Sequence, residues 1–205
     1  TLLHQMTNLP RVIGLYSPAP QQGKSTVAQY LRNSYGYQVV SFATPLKRMA
    51  SHMLHGLGYS PLEVDKFLTE GKSIRLAEIG VDTRHILQTL GAEWGRNCIH
   101  PDLWVFMWQR QVKHILDLGG LVVVDDVRFQ NEYEALHQMH PDTQFWRIQR
   151  DFSIAGARTG HISEGFAENN SRVHFDAWIN NDESKQRLFE IISGQMPTGL
   201  VNVDA

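Results

Sequence analysis

The 205 residues are 42% hydrophobic and 20% charged, with a formal net charge of −2 and a single cysteine, Cys98. That composition supports a core of domain size and offers no global basic field for a nucleic-acid backbone. It excludes an intramolecular disulfide framework or a multi-cysteine zinc site. The single cysteine fits a reducing cytoplasm, and no apolar run long enough to span a bilayer and no charged-then-apolar signal segment is read. The residues before Met6 stay outside the fold reading.

In chain order, β-rich apolar runs alternate with segments of helical period, which predicts an α/β protein with a mainly parallel sheet of about five strands. Strands are expected at 11–16 ("RVIGLY"), 38–43 ("QVVSFA"), 121–127 ("LVVVDDV"), 144–150 ("QFWRIQR") and 176–180 ("DAWIN"). The runs at 12–16 and 121–124 are almost continuously apolar, as strands covered on both faces should be. Helices are expected at 25–33, 45–57, from "SPLE" at 60–63 (a capping box with proline at the first helical position), at 83–95 and at 102–118. In 45–57 the apolar face is Leu46, Met49, Ala50, Met53, Leu54 and Leu57. Gly119-Gly120 stops the 102–118 helix, and "NEYEALHQM" and "DESKQRLFEIISG" supply the last two. Residues 151–175 are polar and too long for a plain connection, so they read as a functional lid segment. One domain over 1–205 is the default.

Gly23-Lys24-Ser25-Thr26 closes the first strand's loop and opens the first helix. The tripeptide alone is weak evidence, since roughly one chain in ten of this length carries it by accident. Gly71-Lys72-Ser73 is such a case, with no strand before it. Context separates the two. A strand–loop–helix arrangement aims backbone N–H groups and the helix dipole at a phosphate, lets Lys24 reach the β- and γ-phosphates, and puts the Ser25 hydroxyl where Mg²⁺ would sit. Against it, Pro18 stands where the pattern asks for glycine, and Pro20 follows; both lack N–H groups.

A second candidate is "LVVVDDVRFQNE", whose apolar strand runs into Asp125-Asp126, Arg128, Asn131 and Glu132. Ligands collect at the carboxyl ends of strands in open α/β sheets. One of the two aspartates is therefore placed to hold Mg²⁺ or its water shell; adjacent strand residues point to opposite faces, so only one does. The competing reading is that Asp126 or Asn131 caps the next helix and Glu132 pairs nearby.

Arg84 and Gln88 lie four apart on one expected helix face, with Arg96 beyond. Guanidinium forks suit a phosphate acceptor and an amide can read a base edge; ordinary surface arginines are the alternative. Trp94 and Trp104 read as core, and the pairs His52/His55 and His137/His140 as solvated or helix-end residues. Arg147, Arg150 and Arg158 border or lie in the 151–175 segment, where a transfer enzyme wants cations closing over phosphates.

Taken together, "GKSTVAQYL", "VVSFATPLKRMA", "TRHILQTLGAEWGR…PDLWV", "VVVDDVRFQNEYEAL", "HISE" and "INND" carry a resemblance. The chain resembles the deoxynucleoside monophosphate kinases of tailed bacteriophages, within the adenylate-kinase-like P-loop family. The resemblance runs from about residue 11 to 193 and implies a three-layer α/β/α P-loop fold. It also implies transfer of the γ-phosphoryl of ATP to a deoxynucleoside 5′-monophosphate with Mg²⁺. It places Gln22, Gly23, Lys24, Ser25 and Thr26 at the ATP phosphates, with Ser25 and Asp126 at the metal. Arg158 falls on the donor side, and Lys24, Asp126, Arg128 and Arg150 at the transfer itself. The acceptor nucleotide falls to Thr44, Lys47, Arg84, Gln88, Trp94, Arg96 and Glu132. The chain departs from the family in "SPAPQQ", which replaces the loop glycines, and in Thr44, where "SFAxPLK" often carries Asp. Two other readings stay open: a P-loop kinase acting on 5-hydroxymethylpyrimidine in DNA, and a nucleotide-binding module without turnover. The implied partners are ATP and a dNMP, with no membrane, nucleic acid only under the first alternative, and room for a homodimer. The host cytoplasm is implied if the chain is phage-encoded.

Overall fold

The computed structural model describes residues 9–69, 73–150, 166–168 and 170–197. The chain forms two compact units, Thr1–Ser41 with Gln109–Ala205, and Phe42–Trp108.

The first unit is built on a five-stranded, all-parallel sheet in the order β2-β3-β1-β4-β5. Its strands are β1 (Val12–Tyr16), β2 (Gln38–Val39), β3 (Val122–Val124), β4 (Gln144–Gln149) and β5 (Ala177–Asn180). Parallel strands need crossovers, which put helices on the faces. Alternation along the strands divides the side chains. Ile13, Leu15, Val123, Trp146, Ile148 and Ile179 pack with Val27, Ala28 and Leu31 of α1 (Lys24–Tyr35) and with Leu188 and Ile192 of the last helix, Lys185–Gln195. On the opposite face Gly14 lies under Leu136 of the helix Gln130–Met139; a Cβ there would stand 2.8 Å from Leu136 and 2.9 Å from Phe145. The result is a three-layer α/β/α unit, as expected.

Two strands are shorter than their apolar runs. β2 ends at Val39, although Val40 still donates to Val123 O at 2.9 Å, because Phe42-Ala43 turn into a helix beginning at Thr44. β3 ends at Val124, just before the aspartates.

In the second unit, α2 (Thr44–Gly56) and α3 (Pro61–Thr69) share a core of Ala50, Leu54, Val64, Phe67, Leu68 and Leu76. Met53, assigned to the apolar face of α2 by periodicity, is 41% exposed. The capping box at α3 is present: Glu63 Oε2 accepts from Ser60 N at 2.8 Å and from its hydroxyl at 2.7 Å. The single helix expected at 83–95 is two elements. α4 (Thr83–Gln88) opens on the Asp82 carboxylate, which accepts from His85 N at 2.8 Å. It passes into a π-helix, Thr89–Ile99, whose last bond runs from His100 N to Gly95 O, five residues back. Trp104 sets this register, since its indole N–H donates to Gly91 O at 2.8 Å while its ring lies against Gly95. Trp104 lies in the first turn of α5 (Leu103–Asp117), which Gly119 terminates at φ 79°, as expected. The helices Gln130–Met139 and Lys185–Gln195 are α6 and α7. Among the described residues no helix is long and apolar enough to cross a membrane.

Candidate functional site

β1 is buried along its whole length and delivers the chain to a loop at 17–23. Gln21 (φ 59°) and Gly23 (φ 104°) both adopt left-handed backbone, which turns the loop back over the start of α1. Among the described residues no side chain caps α1, and the first i→i−4 bond runs from Val27 N to Gly23 O at 3.0 Å. The N–H groups of Ser25 and Thr26 precede that bond, at the positive end of the helix dipole. Such an end is suited to an oxyanion. Pro18 and Ala19 are buried, whereas Pro20 is exposed. Lys24 donates to the Ser17 hydroxyl, which in turn donates to Ala19 O at 2.9 Å.

The other half of the loop is tied to the ends of β4 and β5. Asn181, 6% exposed, donates from Nδ2 to Gln22 O at 3.0 Å. Arg150 donates from its backbone N to Gln22 Oε1 at 3.3 Å and from Nε to Asn181 O at 2.7 Å. Gln22 is 1% exposed and its Nε2 has no hydrogen-bond partner among the described residues. Sequence reasoning singled out Gln22 and Arg150 and missed Asn181. Its one signal is the "INND" stretch at the end of the last strand, and nothing in one dimension shows a residue 159 positions away meeting the loop.

At the end of β3, Asp125 accepts from the Ser41 hydroxyl at 2.6 Å, and Asp126 is half-buried. β3 is the neighbour of β1, with Val124 opposite Gly14, so the aspartates and the 17–23 loop leave adjacent strands at the same sheet edge. Arg128 is exposed; Glu132 is buried and its carboxylate accepts from Arg128 N at 2.8 Å and Phe129 N at 3.2 Å. Glu132, read toward the acceptor, closes the N-terminus of α6, a capping role that the sequence reading gave to Asp126 or Asn131. Mg²⁺ keeps several waters and is typically held by one or two carboxylates plus substrate phosphates. The Ser25 hydroxyl, exposed at the start of α1, and a strand-end aspartate fit that donor set.

Arg147 borders the 151–175 segment through Glu168 and Phe175. It is 8% exposed on the α6 face of the sheet, where its Nη1 donates to Glu168 Oε1 at 2.6 Å and its Nη2 to Glu168 Oε2 at 3.3 Å. The guanidinium also lies 4.8 Å from the Trp178 ring centroid, 5.6 Å from Phe175 and 5.7 Å from Tyr16. Burial, helped by the Glu168 carboxylate, pushes the Tyr16 phenol well above its ordinary range. Arg158, and most of the 151–175 segment, lie outside the described residues.

The remaining acceptor candidates belong to the second unit. Thr44 and Lys47 are half-buried in the first turn of α2, and Leu46 between them packs on Gly91 of the π-helix. Arg84 and Gln88 are exposed on α4, with Arg84 Nη2 at 3.5 Å from the Ser73 hydroxyl. Arg96 is half-buried, donating to Pro101 O at 3.2 Å. Trp94 is 40% exposed, not core, because the π-register turns it outward while Trp104 takes the interior place. π-Helical turns occur often at functional sites, and this one carries both Trp94 and Arg96.

A concavity of about 450 Å³ adjoins the phosphate loop between α1 and α7, lined by Ser25, Thr26, Gln29, Tyr30, Lys185 and Phe189 among others. Tyr30 and Phe189 stack there at 4.1 Å.

Over 77 residues the chain is 30% identical to a deoxynucleoside-5′-monophosphate kinase of Escherichia phage T5. That match spans 38% of this chain and 30% of the phage protein's length. No protein-family profile matches. Among solved structures, dephospho-CoA kinase from Campylobacter jejuni aligns at 14% identity with a TM-score of 0.47, covering 91% of this chain and 97% of that one. A gluconokinase from Sinorhizobium meliloti 1021 aligns at 14% identity and a TM-score of 0.43, covering 91% of each chain.

Proposed function

We propose that the protein is an ATP-dependent kinase that transfers the γ-phosphoryl group to a deoxynucleoside 5′-monophosphate, giving ADP and a deoxynucleoside diphosphate. The observation that carries this reading is the uncapped N-terminus of α1, reached from the central strand through a left-handed Gly23, with Lys24 as its first residue. The partial likeness to the phage T5 enzyme, whose name gives that acceptor class, supports the substrate.

In the reaction an oxygen of the acceptor's 5′-phosphate attacks the γ-phosphorus, and the bond from that phosphorus to the β,γ-bridging oxygen breaks. ADP leaves with the electron pair. The acceptor phosphate is already an anionic nucleophile, so no strong general base is required, and catalysis is positioning and charge stabilisation. Lys24, moving off Ser17, neutralises the β- and γ-oxygens, and the N–H groups of Ser25 and Thr26 hold the donor. Arg150, fixed beside Gln22, and Arg128 face the charge that builds in transfer. Ser25 and Asp126 would hold Mg²⁺, which when bound would supply charge neutralisation to the donor phosphates. Arg84, Gln88 and Arg96 hold the acceptor, with Thr44, Lys47 and Trp94 shaping the choice of base or sugar.

Phosphoryl transfer from Mg-ATP to dTMP, dGMP, dAMP, dCMP and 5-hydroxymethyl-dUMP, and to DNA bearing 5-hydroxymethyluracil, tests the reading. The expected result is product from at least one monophosphate, reduced at least about a thousandfold by Lys24→Ala. Label in DNA alone would transfer the protein to polymer modification. ATP-dependent stabilisation without product on any acceptor would leave a binding module.

A further inference from the structure

We propose that Asn181 is a positioning residue that locks the phosphate loop and Arg150 into one unit, so that the donor phosphates are gripped from two sides. This rests on reading the loop as a donor-phosphate site.

Asn181 directly follows β5, and its backbone N donates to Gln149 O at 2.8 Å, extending the β4–β5 ladder by a step. The residue is therefore fixed by the sheet before its other groups are considered. Its side chain holds the carbonyl of Gln22 at 3.0 Å, and its own carbonyl takes Arg150 Nε at 2.7 Å. The Gln22 carboxamide closes the ring by accepting from Arg150 N. Three segments distant in sequence thus share one buried node.

Two further observations give the node its function. A Cβ at Gly23 would stand 2.4 Å from Asn181 Nδ2, so the amide occupies the space that a side chain on the loop's last residue would need. Asn181 and Gly23 are fitted to each other. The second observation is the buried Gln22 Nε2, which has no acceptor among the described residues. Buried donors are rarely left unpaired, and an unpaired one marks an unfilled role. A phosphate oxygen arriving at the loop supplies that acceptor, on a loop where Pro18 and Pro20 contribute no N–H. Asn181 keeps Gln22 in place for it.

The test is calorimetric titration of the full chain with Mg-ATP and, separately, with the preferred monophosphate. Variants are Asn181→Ala, Asn181→Ser as the milder truncation, and Tyr37→Phe as a control that removes a buried hydrogen bond to Pro10 O outside the loop. Asn181→Ala is expected to weaken Mg-ATP about fivefold to tenfold, with monophosphate affinity within about twofold. Tyr37→Phe lowers the melting temperature and leaves both affinities unchanged. Mg-ATP affinity unchanged in Asn181→Ala, or both nucleotides weakened alike, overturns the proposal while leaving the kinase reading intact. Wild-type protein that fails to bind Mg-ATP overturns both. If Asn181→Ala does not fold, Asn181→Ser decides on the same criteria.

Discussion

Replacing Gly95 with alanine sets two physical effects of opposite sign against each other. On helix propensity alone, alanine should stabilise by about 1 kcal/mol. The tertiary environment predicts the reverse. A Cβ at residue 95 would meet the Trp104 ring at 2.5 and 2.7 Å, about 1 Å inside ordinary carbon–carbon contact, and Trp104 is 3% exposed with little room to retreat. Overpacking of this kind costs up to about 3 kcal/mol. If the ring yields, its indole bond to Gly91 O loosens at a further cost of about 1 kcal/mol. The expected net loss is about 2–3 kcal/mol, read as a lower urea midpoint at unchanged slope. In a Trp104→Leu background the ring is gone, and the same substitution should cost less than half as much. A neutral or stabilising Gly95→Ala, or equal costs in both backgrounds, would refute the view that Trp104 sets the π-register. Because residue 95 lies between Trp94 and Arg96, the variant should also weaken acceptor binding more than donor binding.

Two more outcomes follow from groups buried in the first unit. Arg147→Ala strips Glu168 of its two-pronged partner and three rings of their cation, and should cost about 3 kcal/mol by denaturant unfolding; a loss below about 1 kcal/mol would mean the pair is ornamental. Tyr37 concerns pH. Burial, with the nearby Asp142 carboxylate second, raises its phenol above the ordinary 10.0, so the folded state keeps a proton that the unfolded state releases. Stability from this group is complete below pH 10 and is lost above it, by about 1.4 kcal/mol per pH unit. Tyr37→Phe should be less stable at neutral pH yet decline less steeply above pH 10, and an unchanged alkaline slope would contradict that assignment.

Much of the molecule was written locally. The buried parallel strands, the phosphate loop running into α1, the Ser60–Glu63 cap and the Gly119 stop each depend on neighbours within a few residues. Composition and spacing therefore expose them. Asp125-Asp126 at a strand end was legible for the same reason, since strand, turn and helix follow in order. Tertiary structure decided the rest. Trp94 and Trp104 look alike in the sequence, and only packing on Gly91 and Gly95 makes one core and the other surface. Arg147 and Arg150 stand three apart at the end of one strand. Opposite sides of the sheet send the first among aromatic rings and the second to the loop at 17–23. Asn181 gains its place only because parallel strands bring their carboxyl ends together, whatever the chain length between them. A one-dimensional pattern records periodicity and turn chemistry, while these assignments depend on which side chain fills a space that distant segments enclose.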